Sequence, residues 1–142
     1  RGWFIDLVTP PSPPGTPEGE RIVSDAQVIA SVLITSSILP SSDPCLPGGR
    51  GYLNALNAFT GASLGTAFFD LDGDGLFNDE VLAVGANNVA IGSVDLGIGM
   101  PTLATIISNR IAVGGSSGSK EDKEILDPVT TGRVSWREVI RD

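Results

Sequence analysis

Histidine is absent from this 142-residue chain, and cysteine, methionine and tyrosine occur once each. A single cysteine cannot form an intrachain disulfide, and a Cys/His zinc site cannot be assembled from this inventory. Ser-His-Asp and Cys-His catalysis are excluded for the same reason. No apolar run reaches the roughly 18–20 residues that cross a bilayer. The longest stretch of that kind, Val28–Leu39, is broken by Ser31, Thr35, Ser36 and Ser37. No signal peptide is recognisable, and the opening RGWFIDL reads as part of a segment of a longer protein.

What is present points to strands. Gly (18) and Pro (10) are abundant, and 41% of the residues are hydrophobic with few aromatics, which suits short strands and many turns. The net charge is −8, a surface that repels nucleic-acid phosphates and anionic lipids and attracts cations.

GWFIDLV (2–8) has the apolar-rich pattern of a strand, and the proline-rich stretch 9–20 reads as an extended loop insertion. Residues 21–39 are dense in Val, Ile and Thr and predict one short and one long strand. Residues 40–51 form a loop rich in turn formers, and 52–69 a strand that turns at FTG and resumes. Residues 81–94 give short strands, 100–119 a hairpin turning at Asn109, and KEDKEILD (120–127) a charged connection with room for one helical turn. Residues 132–142 alternate Val134, Trp136 and Val139 as a last strand. Trp3, Arg133 and Trp136 read as packing or strand-surface residues.

FDLDGDGLFNDEV sets five carboxylates within residues 70–80. Loops of the D-x-[DN]-x-[DN]-G type aim alternate side-chain oxygens at a cation, with glycine at position 6 for the sharp turn and a backbone carbonyl at position 7. Asp70, Asp72 and Asp74 fill positions 1, 3 and 5, Gly75 fills position 6, Leu76 offers its carbonyl, and Asn78 stands at position 9. Position 12 is Val81 rather than a bidentate Glu. Asp79 is the expected closing ligand, because Glu80 leads straight into the next strand. Hard oxygen donors favour calcium over zinc or copper, and magnesium demands a tighter octahedron. The flanks carry glycines and β-branched residues, so the loop lies between strands and not between EF-hand helices.

Two stretches echo each other: QVIASVLITS with GYLNALNAFTGASLG, and PTLATIISNRIAVGGSSGS. ALNAFTG is similar to the turn between outer strands of quinoprotein-like propeller blades. The expected fold is all-β, a partial β-propeller of about two blades with an inserted calcium loop.

The order of pieces resembles the PilY family. GWFIDLV, GERIVSD, SSDPC, the ALNAFTG turn, FDLDGDG and the closing GRVSWRE are similar, in that order, to its C-terminal end. The resemblance implies a calcium-binding C-terminal region with a propeller fold on a type IV pilus tip-associated protein. It further implies control of pilus extension and retraction, twitching motility and surface adhesion. Partners would be minor pilins at the tip and a host or abiotic surface, at the fimbrium or cell surface after export through the periplasm and outer membrane. The family's calcium positions fall on Asp70, Asp72 and Asp74, and its carboxylate at position 9 is replaced by Asn78. Cys45 falls in SSDPC, either as a buried thiol or with a partner outside this segment.

The competing expectation is a fragment of a calcium-dependent quinoprotein-type dehydrogenase, which the absence of histidine and the scarcity of aromatics disfavour. A dockerin-like module would need duplicated loops and helices. GGSSGSK (114–120) fails as a phosphate loop, because Glu121 follows Lys120 where Ser or Thr is required. The reading is of a non-enzymatic domain.

Overall fold

A computed structural model describes residues 2–8, 16–43 and 48–127. The expectations for Cys45, Arg133, Trp136, the strand at 132–142 and most of the proline-rich insertion lie outside them. Every regular element among the described residues is a strand. In chain order these are β1 (Arg21–Ile22), β2 (Gln27–Ile29), β3 (Val32–Pro40), β4 (Gly49–Asn57) and β5 (Val81–Val84). There follow β6 (Asn87–Ala90), β7 (Ser93–Val94), β8 (Thr105–Ile107), β9 (Arg110–Gly114) and β10 (Lys120–Glu124).

The long β3–β4 hairpin is the spine, paired from Val32↔Asn57 to Pro40↔Gly49. β1 and β2 share the outer edge of β3, and β7 adds to β4, giving the order β1-β3-β4-β7. β8, β9 and β10 form a three-stranded sheet, and β5 with β6 a separate hairpin. No closed ring of sheets forms among the described residues.

Strand alternation decides what each face carries. Val32, Ile34, Leu53 and Ala55 stand on one face, the last three nearly sealed from solvent, and pack with Ile111 and Val113 of β9. Phe68, Phe69 and Ile125 complete this cluster, with the two phenyl rings edge to face at 5.2 Å. The other face carries a buried polar network beside Thr35, whose Oγ1 is buried without a hydrogen-bond partner among the described residues. Ser37 Oγ donates to Glu20 Oε1 at 2.5 Å and accepts from Asn54 Nδ2 at 3.2 Å, while Ser93 Oγ donates to Asn54 Oδ1 at 2.5 Å. Such a network costs little so long as each member keeps its partner.

The two stretches that echo in sequence each contain a hairpin closed by two residues, Ala30–Ser31 and Ser108–Asn109. Both place a residue other than glycine at positive φ, Ala30 at 53° and Ser108 at 55°. The expected hairpin at 100–119 and the short strands at 81–94 are present.

Four segments differ from expectation. Residues 2–8 form no strand, since nothing pairs with them among the described residues. Phe4 is 90% exposed, and Trp3 instead lies over Gly61 with Nε1 donating to Ala58 O at 3.0 Å. Residues 21–39 hold two short strands before the long one. The chain after the FTG turn does not resume as a strand: Ala67, Phe68, Phe69 and Asp70 are all buried in succession, with no ladder of paired residues beside them among the described residues. It touches the sheets through a single bridge, Phe69↔Ile125. Residues 120–124 are a strand rather than a charged connection, paired with β9 from Lys120↔Gly114 to Glu124↔Arg110. Cross-strand partners make the charged sequence acceptable there, since Asp122 pairs with Arg110 and Glu124 accepts from Asn109.

The turn at Gly61 combines a left-handed backbone with close contact to the Trp3 ring. Its φ is +69°, and a Cβ there would sit 2.3 Å from the Trp3 ring. Gly61→Ala is expected to destabilise the chain by about 2–4 kcal/mol, through the left-handed backbone and the displaced indole. Urea unfolding with a red shift in tryptophan emission checks it.

Candidate metal centre

Residues 70–80 run from Phe69, held in the core, to the start of β5. The loop is wound around one carboxylate. Asp70 is 2% exposed, its Oδ1 accepting from Gly73 N at 2.6 Å and its Oδ2 from Gly75 N at 3.0 Å. These bonds require the backbone to turn back sharply, and Gly73 and Gly75 do so at φ of 85° and 79°. Burial pushes the Asp70 carboxyl up. The N–H groups of Gly73, Gly75 and Asp74, with the Asp72 side chain, outweigh that effect and hold it below the usual carboxylate range.

The neighbouring acids follow the same local logic. Asp72 Oδ1 accepts from Asp74 N at 3.2 Å, and Asp74 Oδ1 from Leu76 N at 2.7 Å. The loop is tied at both ends, by Asp70 N to Glu124 O at 3.0 Å and by Ile91 N to Glu80 O at 3.0 Å.

Glu80 is the second buried carboxylate, 7% exposed. Its Oε1 accepts from Leu71 N at 2.9 Å, while its Oε2 is buried with no hydrogen-bond partner in the protein. A buried anionic oxygen without a donor is costly. Lys123 reaches the same place from β10, its Nζ donating to Leu71 O at 3.2 Å.

The acids form two overlapping groups. Asp70, Asp72 and Glu80 bring one carboxylate oxygen each within 4.8 Å of one another, and so do Asp72, Asp74 and Asp79. The first group is largely buried and the second exposed. An all-oxygen set with one orphaned acceptor fits a hard divalent cation, and Asp70, Asp72 and Glu80 would hold it. Of the residues expected from sequence, Asp70 and Asp72 meet in the buried group, and Asp74 and Asp79 join Asp72 in the exposed one. Leu76 and Asn78 are exposed.

Glu80 was not among the expected ligands. Its signal was position: the last acid before an apolar strand stands where the chain re-enters the protein.

No family model and no solved structure matches the chain. Curated relatives do. The chain is 31% identical over 148 residues to the type IV pilus biogenesis factor PilY1 homolog of Xylella fastidiosa, covering 99% of this chain and 11% of that protein. It is 31% identical over 144 residues to PilY1 of Pseudomonas aeruginosa, covering 97% of this chain and 12% of that protein. The chain belongs to the PilY1 family and spans about a tenth of the length of these relatives.

If Glu80 closes the buried group, Glu80→Gln is expected to weaken divalent-cation binding at least about tenfold. In metal-free buffer the same change should leave the melting temperature unchanged or higher, because an unpaired buried charge is gone. Titration calorimetry and thermal melts check the two halves, and undiminished cation binding by Glu80→Gln rejects Glu80 as a ligand.

Proposed function

We propose that this chain is a calcium-binding region, C-terminal in its parent, of a type IV pilus-associated protein. Its strands form part of a β-propeller of quinoprotein-like blades. The carrying observation is the buried Asp70–Asp72–Glu80 group with the unpartnered Glu80 Oε2. Asp74, Asp79, Asn78 and the Leu76 carbonyl supply further oxygens around the same loop. Antiparallel sheets whose strands are joined by two-residue turns are compatible with blades, and the PilY1 relatives carry the pilus assignment.

The role proposed is structural and regulatory rather than enzymatic. Calcium neutralises the crowded carboxylates and fixes the loop that links the β5–β6 hairpin to β10. That keeps a binding face in shape for minor pilins at the pilus tip and for a host or abiotic surface. Occupancy then biases pilus extension against retraction, with twitching motility and adhesion as the outcomes, at the fimbrium and cell surface.

Loops of this kind on extracellular modules bind at roughly 10⁻⁴ to 10⁻³ M. A hundredfold excess of ion over Kd stabilises the fold by about 2.7 kcal/mol. Calcium should therefore raise the wild-type melting temperature, and Asp72→Ala and Asp74→Ala should each remove the rise. In cells, Asp74→Ala is expected to impair twitching. An undiminished calcium response in both variants rejects the site, and normal twitching with normal pilus number rejects the regulatory role.

A further inference from the structure

We propose that Lys123 is a tethered counter-ion of the 70–80 loop: it steadies the acidic loop when metal is absent and lowers the loop's affinity for calcium. The inference rests on the calcium reading above and assigns the regulation of that same site.

Leu71 lies between Asp70 and Asp72, and both of its backbone groups are held by side chains. Its N–H donates to Glu80 Oε1 at 2.9 Å, and its carbonyl accepts from Lys123 Nζ at 3.2 Å. One residue thus separates an ammonium from the buried acids. The placement is fixed from below. Asp70 N donates to Glu124 O at 3.0 Å, Leu126 N to Phe68 O at 2.9 Å, and Phe69 bridges Ile125. Alternation along β10 sends Asp122 to the face where it pairs with Arg110 and turns Lys123 to the opposite one. Lys123 is half-buried, with its ammonium held on the loop by the bond to Leu71 O. The independent sign that the acids form a cation site is the orphaned Glu80 Oε2, on a side chain 7% exposed.

The chemistry has two signs. Without metal, the ammonium offsets repulsion among Asp70, Asp72 and Glu80. With a divalent ion bound, the same ammonium is a like charge one residue away, which at partial solvent screening opposes binding by about three- to tenfold. Lys123 sets a weak affinity on a loop that keeps its shape when empty.

The test is calcium chloride titration calorimetry on the full 142-residue chain, with melts in EDTA. Lys123→Gln should bind calcium about three- to tenfold more tightly, the gain shrinking as salt rises, and should melt below wild type in EDTA. Lys123→Met, which keeps the apolar stem, is the second variant and should show the same gain. Lys123→Arg should match wild type in both measurements. Lys120→Gln makes the same change in net charge away from the loop contact and should leave affinity unchanged. Equal or weaker binding by Lys123→Gln and Lys123→Met, or an equal gain from Lys120→Gln, overturns the proposal. A wild-type chain that binds no calcium overturns the calcium reading itself. Wild-type binding at the affinity of Lys123→Gln overturns only the role of Lys123.

Discussion

Two carboxylates buried within reach of one another set the terms for this part of the molecule. Asp70 is made tolerable by backbone N–H groups that the loop is wound to supply. Glu80 is only half provided for, with one oxygen on Leu71 N and the other without a donor. Because both acids are anchored through their backbones to other elements, neither can retreat to water without opening the structure around it. The loop consequently joins three bodies: Phe68 and Phe69 enter the core against β3 and β4, Phe69 bridges Ile125 just beyond β10, and Glu80 opens into β5.

The spine tolerates this because its two faces do different things. One is sealed by aliphatic and aromatic packing, with Ile34, Leu53, Phe68, Phe69, Ile111 and Ile125 each 1% exposed. The other buries Ser37 and Asn54, which are useless for apolar packing but mutually satisfied with Glu20 and Ser93. A wet-type face buried under a loop and a dry face buried under a sheet let one hairpin organise both sides of the chain.

Much of this was legible in the sequence. β-branched density located β3, the hairpin turn at Asn109 was placed to within one residue of the observed Ser108–Asn109 turn, and D-x-D-x-D-G marked the acidic loop. The misses have physical causes. Residues 2–8 and 62–69 carry strand-like composition, but a strand needs a neighbour, and pairing is not written into either segment. Composition likewise made 120–127 look like a connection, because Arg110, which pairs with Asp122, and Asn109, which donates to Glu124, lie ten or more residues away. Glu80 escaped for a related reason. Spacing rules count along the chain, whereas its burial comes from Leu71 and Ile91, which fold back on it from either side.

The sequence of β10, Lys-Glu-Asp-Lys-Glu, has one more consequence. A strand at the margin of a sheet invites a second molecule to add its own backbone there, the first step of aggregation. On β10 the residues Lys120, Glu121 and Asp122 are all exposed. Any incoming strand would have to strip water from charges of both signs to seat itself. The same residues that make this segment look unstructured therefore guard it against fibre-like stacking.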